Sequence, residues 1–359
     1  MRIAVLSLRL DANYGGILQS YALIKVLERM GHNVTLLDRT RKNSDVGLPI
    51  MVRLKRFVMR YFLFRDLDEA YRQRRFENSN TWSFVDKYIK RRGLKSFKEI
   101  GERDYDMIIV GSDQVWRPKY FEPQHLSSID NAFLSFTEGW RIKRIAYAAS
   151  FGTDEWEYDE KKTKKCADLI KKFDAVSVRE KNGIEMCKSH FGVKAVQVLD
   201  PTLLLDKNDY DSLCNTAESE TRGVFSYILN NNDTTKTLVE KVSKAIKKPV
   251  FLEKVTGDVQ FPIEDWLAGF MNADFIVTDS FHACVFSIIY GKPFVVYCNR
   301  ERGFSRINSF LKMLGLDDRI VLSADDFNLA NIKSDVATAM KKLEEFRDFS
   351  FAFLRKAIG

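Results

Sequence analysis

A chain of 359 residues is too long to fold around one ordinary hydrophobic core, so two domains are expected. Its composition is 45% hydrophobic with a formal charge of +8, which fits a packed protein with an anionic partner but does not choose among small ligands, membrane surfaces and nucleic acid. No apolar run reaches the roughly 18 residues of a membrane-spanning helix. Five scattered cysteines without a CxxC pair indicate reduced thiols in a cytosolic protein.

Short apolar runs alternate with helical periodicity along most of the chain. The first series of predicted strands covers 2–7, 34–38, 107–110, 145–149, 175–178 and 195–199. The second series covers 224–229, 250–253, 275–278 and 294–297. Helical spacing is found over 16–30, 161–173, 181–191, 234–246, 263–271, 282–290 and 304–314. Apolar strands between helices are typical of parallel sheets covered on both faces.

These series predict an α/β fold with two Rossmann-like parallel-sheet domains facing each other across a cleft. The first domain is expected at 1–205 and the second at 206–330. A helical tail over 331–359 follows, long enough to cross back to the first domain.

A basic, aromatic insertion at about 50–92 interrupts the first domain. Residues 51–76 have one apolar helical face, with arginines opposite, and the favoured interpretation is a helix packed on the first domain. A second interpretation places this helix on anionic lipid. Nucleic-acid binding is a weaker alternative, because no binding motif accompanies the charge.

Ligands bind beyond the carboxyl ends of the strands in open parallel sheets. Gly15 and Gly16 follow the first strand, where free backbone N–H groups suit an anion or a hydroxyl-rich ligand. Asp113, Gln114 and Trp116 follow the strand at 107–110, and the indole could stack on a sugar. A plain tight turn, and a capped turn with a core tryptophan, remain equally good interpretations.

Arg179 ends the strand at 175–178, where a guanidinium can grip a phosphate or carboxylate. The alternative is a surface ion pair with Glu180 or Glu185. His282 lies in the first turn of a predicted helix and suits proton transfer near neutral pH, although a lone histidine is usually structural. The other three histidines are expected on the surface. Three arginines follow the strand at 294–297 and form either an anion site or a solvated loop: Arg300, Arg302 and Arg306.

With these residues in view, the chain resembles the polysaccharide pyruvyl transferase family over about its first nine-tenths. The resemblance rests on the order and spacing of five motifs: "NYGGILQSYAL" from Asn13, "YDMIIVGSDQVW" from Tyr105, "SVRE" from Ser177, "VLDPTLLL" from Val198 and "TDSFHACVFSIIYGKPFVVY" from Thr278.

This resemblance implies a GT-B-like arrangement and transfer of a pyruvyl group from phosphoenolpyruvate to two hydroxyls of a sugar, without a metal or cofactor. It makes His282 catalytic. It places the family's donor-binding basic residues on Arg179 and on Arg302 or Arg300, and we add Arg306 and Ser280 as donor-binding candidates from their positions. From the residues at the strand ends, we expect acceptor binding by Asn13, Gly15, Gly16, Asp113, Gln114 and Trp116.

One residue departs from the family pattern, because Ser280 stands where well-known members have arginine. A hydroxyl cannot replace a guanidinium's charge, so either Arg300 or Arg306 supplies the missing cation or the donor differs.

The resemblance further implies surface polysaccharide synthesis on a sugar acceptor, expected to be lipid-linked, by a cytoplasmic bacterial protein that can lie on the inner face of the membrane. Nucleic acid is not expected as a partner. Two alternatives are a GT-B glycosyltransferase using a nucleotide sugar and a non-catalytic sugar-binding or scaffold protein. We expect Arg179, His282 and Arg302 on one side of the cleft, and Gly15, Gly16 and Asp113 on the other.

Overall fold

A computed structural model of the chain describes residues 1–10, 13–39, 78–214, 222–254, 261–298 and 304–359. The basic stretch at 51–76 lies outside these residues, as do Arg300 and Arg302. No helix in the described part of the chain has the length and apolar character needed to cross a bilayer.

The first sheet contains seven parallel strands within the described residues. They are β1 (Arg2–Leu6), β2 (Asn33–Asp38), β3 (Arg91–Gly93), β4 (Met107–Val110), β5 (Lys143–Ala149), β6 (Ala175–Val178) and β7 (Val196–Gln197). Their spatial order is β3-β2-β1-β4-β5-β6-β7. The central strands are almost fully buried because helices cover both faces, as their continuous apolar runs predict.

Helices of the first domain alternate with these strands. They are α1 (Tyr14–Arg29), α2 (Ser79–Tyr88), α3 (Pro118–His125), α4 (Glu160–Ile170) and α5 (Lys181–Met186). Helix α1 begins two residues before the predicted range because the Asn13 side chain accepts a hydrogen bond from the Gly16 N–H at 3.1 Å. Helix α5 passes into a π-turn that ends at Gly192, whose φ is +68°.

The second sheet contains five parallel strands in the described part of this domain. They are β8 (Val224–Tyr227), β9 (Val250–Lys254), β10 (Phe275–Thr278), β11 (Phe294–Tyr297) and β12 (Ile320–Val321), in the order β12-β11-β10-β8-β9. The helices are α6 (Lys207–Asp211), α7 (Asp233–Ile246), α8 (Ile263–Met271), α9 (Phe281–Ile289) and α10 (Phe304–Leu314).

The last helix, α11 (Val336–Ile358), packs on both domains. Its Ser350 hydroxyl accepts a hydrogen bond from the Leu199 N–H at 3.0 Å. Near its end, the Lys143 ammonium donates to the Ile358 carbonyl at 2.8 Å. One apolar cluster extends from α1 through α8 and α9 to α11, so the two domains share a core where their helices meet.

Candidate active site

Two helix N-termini meet between the domains, that of α1 from the first and that of α9 from the second. Gly15 lies against the face of the His282 imidazole. A Cβ atom on Gly15 would lie 1.9, 2.1 and 2.6 Å from Nδ1, Cγ and Cε1 of that ring. The imidazole therefore fills the space that a side chain at position 15 would need. His282 is 8% exposed.

The other ring nitrogen of His282 faces a buried carboxylate. Its Nε2 lies 3.6 Å from Oδ2 of Asp200, a distance for electrostatic attraction but too long for a direct hydrogen bond. Among the described residues, Nε2 has no hydrogen-bond partner. Asp200 was not singled out from the sequence, although it directly follows the predicted strand at 195–199 and precedes Pro201, which is a signal that could have identified it.

Neighbouring groups keep Asp200 ionised. Its Oδ2 accepts a hydrogen bond from Arg179 Nη1 at 2.9 Å, and its Oδ1 accepts from the Thr202 hydroxyl at 2.7 Å. Burial by itself would raise the pKa of Asp200, but His282, Arg179 and Thr202 together hold that pKa well below its usual range.

Arg179 is buried among three carboxylates. In addition to Asp200, it donates to Glu180 Oε1 at 2.7 Å and lies 3.5 Å from Asp113 Oδ1. Its guanidinium carbon lies 4.8 Å from the centre of the Phe281 ring. Burial opposes its charge, but the surrounding carboxylates raise its pKa above the ordinary value. The predicted pair with Glu180 is present, although it is buried and not on the surface.

The expected division of the cleft is wrong for Arg179. We expected Arg179 on the side of His282, opposite Asp113. Arg179 instead belongs to the first sheet and contacts Asp113 directly, because β6 and the loop after β4 end at the same edge. His282 reaches this group from the second domain.

Arg306, in α10, lines the same cavity as Arg179, Asp200 and Phe281. Burial and the nearby Arg179 charge lower the pKa of Arg306, and its Nε has no hydrogen-bond partner within the described residues. The cavity holds about 40 Å³, room for a few water molecules and not for a sugar.

Three predicted acceptor residues have structural roles here. The Asn13 side chain caps α1. Gln114 accepts a hydrogen bond from Arg117 at 3.2 Å. Trp116 is completely buried, stacks on Phe133 with ring centres 5.0 Å apart and donates to the Ala132 carbonyl, so it is a core tryptophan and cannot stack on a sugar in this structure.

Ser280 occupies the N-cap position of α9 but its hydroxyl forms no capping hydrogen bond. Its N–H donates to the Thr278 hydroxyl at 3.0 Å. His125 is 1% exposed, so the expectation of a surface residue is wrong. Its Nε2 donates to the Ser7 carbonyl at 2.9 Å, and burial lowers its pKa to about 3. The described residues contain no cluster of side chains suited to hold a metal ion.

The family model for polysaccharide pyruvyl transferase matches residues 13–299. The chain belongs to this family. The match includes both helix N-termini of the candidate site, His282, Arg179 and Asp200. A comparison with curated protein sequences finds no match.

Solved glycosyltransferases share the fold. Arabidopsis thaliana UGT89C1 complexed with UDP-L-rhamnose superposes with a TM-score of 0.51 at 10% identity, covering 99% of this chain and 97% of that one. A glycosyltransferase from Rickettsia africae has a TM-score of 0.51 at 11% identity, with 99% and 97% covered. This member of the polysaccharide pyruvyl transferase family therefore has a GT-B-like fold of two parallel-sheet domains.

Proposed function

We propose that this protein transfers a pyruvyl group from phosphoenolpyruvate to two hydroxyls of a sugar, forming a cyclic ketal in surface polysaccharide synthesis. One observation carries the proposal beyond family membership: a buried histidine from the second domain meets an arginine and three carboxylates from the first. A scaffold or sugar-binding protein would have no need to maintain such a group at the cost of its desolvation.

The reaction needs a proton donor, a proton acceptor and fixed cations. Protonation at C3 of phosphoenolpyruvate makes C2 electrophilic, and a sugar oxygen bonds to C2 while its proton goes to a base. The C2–O bond to phosphate then breaks, and the second hydroxyl closes the ring as its proton passes to the departing phosphate. His282 is the base in this proposal, and preorganised guanidinium groups stabilise the developing charge on phosphate.

The charges of the described site limit where the donor binds. Arg179 and Arg306 face three carboxylates, those of Asp113, Glu180 and Asp200, so this group alone is not positive. A donor with both a phosphate and a carboxylate needs further cations. We propose that Arg300 and Arg302 supply them, with Arg306 beside Arg179 and with Ser280 in place of the family's arginine.

We propose that the acceptor lies at the amino end of α1, near Gly15, Gly16 and Asp113. Backbone N–H groups at a helix N-terminus suit hydroxyl oxygens. A lipid-linked sugar is the proposed acceptor. A peripheral position on the inner membrane face remains a proposal that would depend on the basic stretch 51–76.

The test is single-turnover phosphate release from phosphoenolpyruvate with candidate lipid-linked glycans, followed by mass spectrometry for the ketal. His282→Ala should slow turnover by about 10²–10⁴-fold, the usual contribution of general acid–base catalysis. Calorimetry should show donor binding nearly unchanged. His190→Ala is the matched control, because that histidine is exposed and stacks on Trp156, and it should turn over at the wild-type rate.

Arg306→Ala should weaken donor binding, because it removes a cation from the ground-state complex. Arg179→Ala is a poorer probe, since it leaves three buried carboxylates without their shared cation and breaking such a pair costs about 3–5 kcal/mol. Thermal stabilisation by a nucleoside diphosphate and none by phosphoenolpyruvate would overturn the proposal in favour of a nucleotide-sugar glycosyltransferase.

A further inference from the structure

We infer that Asp200 is a positioning residue that holds the proton of His282 on Nε2 and thereby leaves Nδ1 as the nitrogen that accepts the proton of the sugar hydroxyl. This inference rests on the proposed function and adds to it the orientation of the base. Both domains are then needed for His282 to act as a base. Asp200 follows β7 of the first sheet, and His282 belongs to α9 of the second domain.

The Asp200 carboxylate is fixed before it meets the histidine. Its side chain is completely buried. Its Oδ1 accepts two hydrogen bonds from Thr202, one from the hydroxyl at 2.7 Å and one from the backbone N–H at 3.1 Å. Its Oδ2 is held by Arg179 at 2.9 Å and is also the oxygen that faces His282. A carboxylate held at both oxygens keeps a fixed position, so it can set the orientation and the tautomer of a neighbouring imidazole.

The imidazole has little freedom to turn away. Gly15 covers the face of the ring, since a carbon added there would approach Nδ1 and Cγ almost equally and Cε1 slightly less closely. Phe281 lies beside the ring with centres 5.2 Å apart and planes at 84°. Nε2 is enclosed and faces Asp200, its only carboxylate within 4 Å among the described residues.

A neutral imidazole has one N–H and one lone pair on its two ring nitrogens. An ionised carboxylate only accepts hydrogen bonds, so it favours the tautomer with hydrogen on the facing nitrogen, Nε2. The separation of 3.6 Å is one that substrate binding can shorten, because catalytic hydrogen bonds are often long in empty sites.

The O–H bond of the sugar hydroxyl breaks as its oxygen bonds to C2 of the donor, and the proton moves to Nδ1. His282 then carries a positive charge beside the Asp200 carboxylate, which stabilises it. The proton returns to solvent before the next turnover. Of the ring atoms, Nδ1 would lie nearest to a Cβ on Gly15, at the amino end of α1, where the acceptor is proposed to bind.

The primary test is the tautomer of His282, read from ¹⁵N chemical shifts of the full-length protein labelled at histidine, in alkaline buffer. The chain has only four histidines, and His282→Ala identifies the signal. We expect hydrogen on Nε2 in the wild type and a mixture of both tautomers in Asp200→Asn. Hydrogen on Nδ1 in the wild type would overturn the inference.

Kinetics give the second readout. Asp200→Asn should lower kcat by about 10²–10⁴-fold, the range found when an orienting carboxylate or a base is lost elsewhere, with a much smaller change in KM for phosphoenolpyruvate. Asp130→Asn is the matched control. Asp130 is buried, as Asp200 is, and forms an ion pair with Lys165, but it lies away from His282. The kcat of this variant should stay within about twofold of the wild-type value. Wild-type kcat in Asp200→Asn refutes the positioning role.

Thr202→Val keeps the Asp200 carboxylate and removes only the hydroxyl that donates to its Oδ1. This variant tests the positioning role if Asp200→Asn does not fold. It should lower kcat by about tenfold, equivalent to one hydrogen bond of about 1.4 kcal/mol. An unchanged kcat and tautomer in this variant contradict the inference. If the wild type releases no phosphate but shows the Asp200-dependent tautomer, the proposed reaction fails and the orientation of His282 stands.

Discussion

Gly15 sets how closely the two domains approach at the candidate site, because the imidazole of His282 fills the space of a side chain there. Gly15→Ala should reduce the free energy of unfolding by about 1–3 kcal/mol, the usual cost of overpacking a dense contact. Denaturant unfolding followed by circular dichroism measures this change.

Gly16→Ala is the control for that substitution. The nearest side-chain atom to an added Cβ at Gly16 is Asn13 Cγ at 3.5 Å, an ordinary contact. Since Gly16 is helical, alanine should raise stability there by about 0.5–1 kcal/mol. Equal losses in both variants would show that contact with His282 is not the cause.

His125 should make the protein less stable in mild acid. Burial lowers its pKa to about 3 in the folded state, against about 6.5 in an unfolded chain, so the unfolded state binds more protons between these values. Stability is therefore lost as the pH falls through this window. From about pH 7 to about pH 5, the loss attributable to His125 should be about 2 kcal/mol.

The comparison for this prediction is His125→Gln, which keeps a donor for the Ser7 carbonyl but does not titrate. Its stability should fall less than that of the wild type over the same pH range, as measured by urea unfolding at each pH. Parallel pH profiles for the two proteins would exclude His125 as the source.

At the residue scale, the sequence predicted the groups that follow strands and missed the contacts between distant segments. Arg179 and His282 could be singled out because each lies just after an apolar strand. Their assembly around Asp200 could not, because it depends on how α9 of one domain meets the end of β7 in the other. Trp116 and His125 have side chains that can form hydrogen bonds, and the sequence therefore suggested accessible positions. Local packing buries both.

At the element scale, buried parallel strands were predictable because their apolar runs are nearly continuous. The strands β4, β6, β10 and β11 have the predicted bounds. The short edge strands β3 and β12 were not predicted, since three and two residues show no periodicity.

Helix α11 is joined to the first domain by a hydrogen bond that can be removed cleanly. Ser350→Ala leaves the buried N–H of Leu199 without the hydroxyl that now accepts from it, so the free energy of unfolding should fall by about 1–3 kcal/mol. Ala352→Ser, on the exposed face of the same helix, should change stability by less than about 0.5 kcal/mol. Thermal and urea unfolding compare the two; similar stability of Ser350→Ala and wild type would contradict the proposed importance of this contact.

At the scale of the whole molecule, the two sheets meet through the N-termini of α1 and α9 and through the shared helix α11. This arrangement explains why the site residues come from four widely separated parts of the chain. The cavity beside Arg179 and Asp200 holds about 40 Å³ and has no room for a sugar, and neither His282 nor Gly15 is among its lining residues. We expect the domains to move apart when substrates enter, as in other two-domain enzymes that close on their ligands.

Tyr14, at the start of α1, joins the first domain to the second. Its hydroxyl donates to the Phe261 carbonyl at 2.9 Å, and its ring stacks on Trp266 with centres 5.3 Å apart. Tyr14→Ala removes both contacts, so small-angle X-ray scattering should show a larger radius of gyration and turnover should fall. Tyr88→Ala is the control, because its ring packs on Phe84 inside the first domain, and its radius of gyration should match the wild type. A Tyr14→Ala protein with wild-type dimensions and turnover would show that the shared core and α11 alone keep the domains closed.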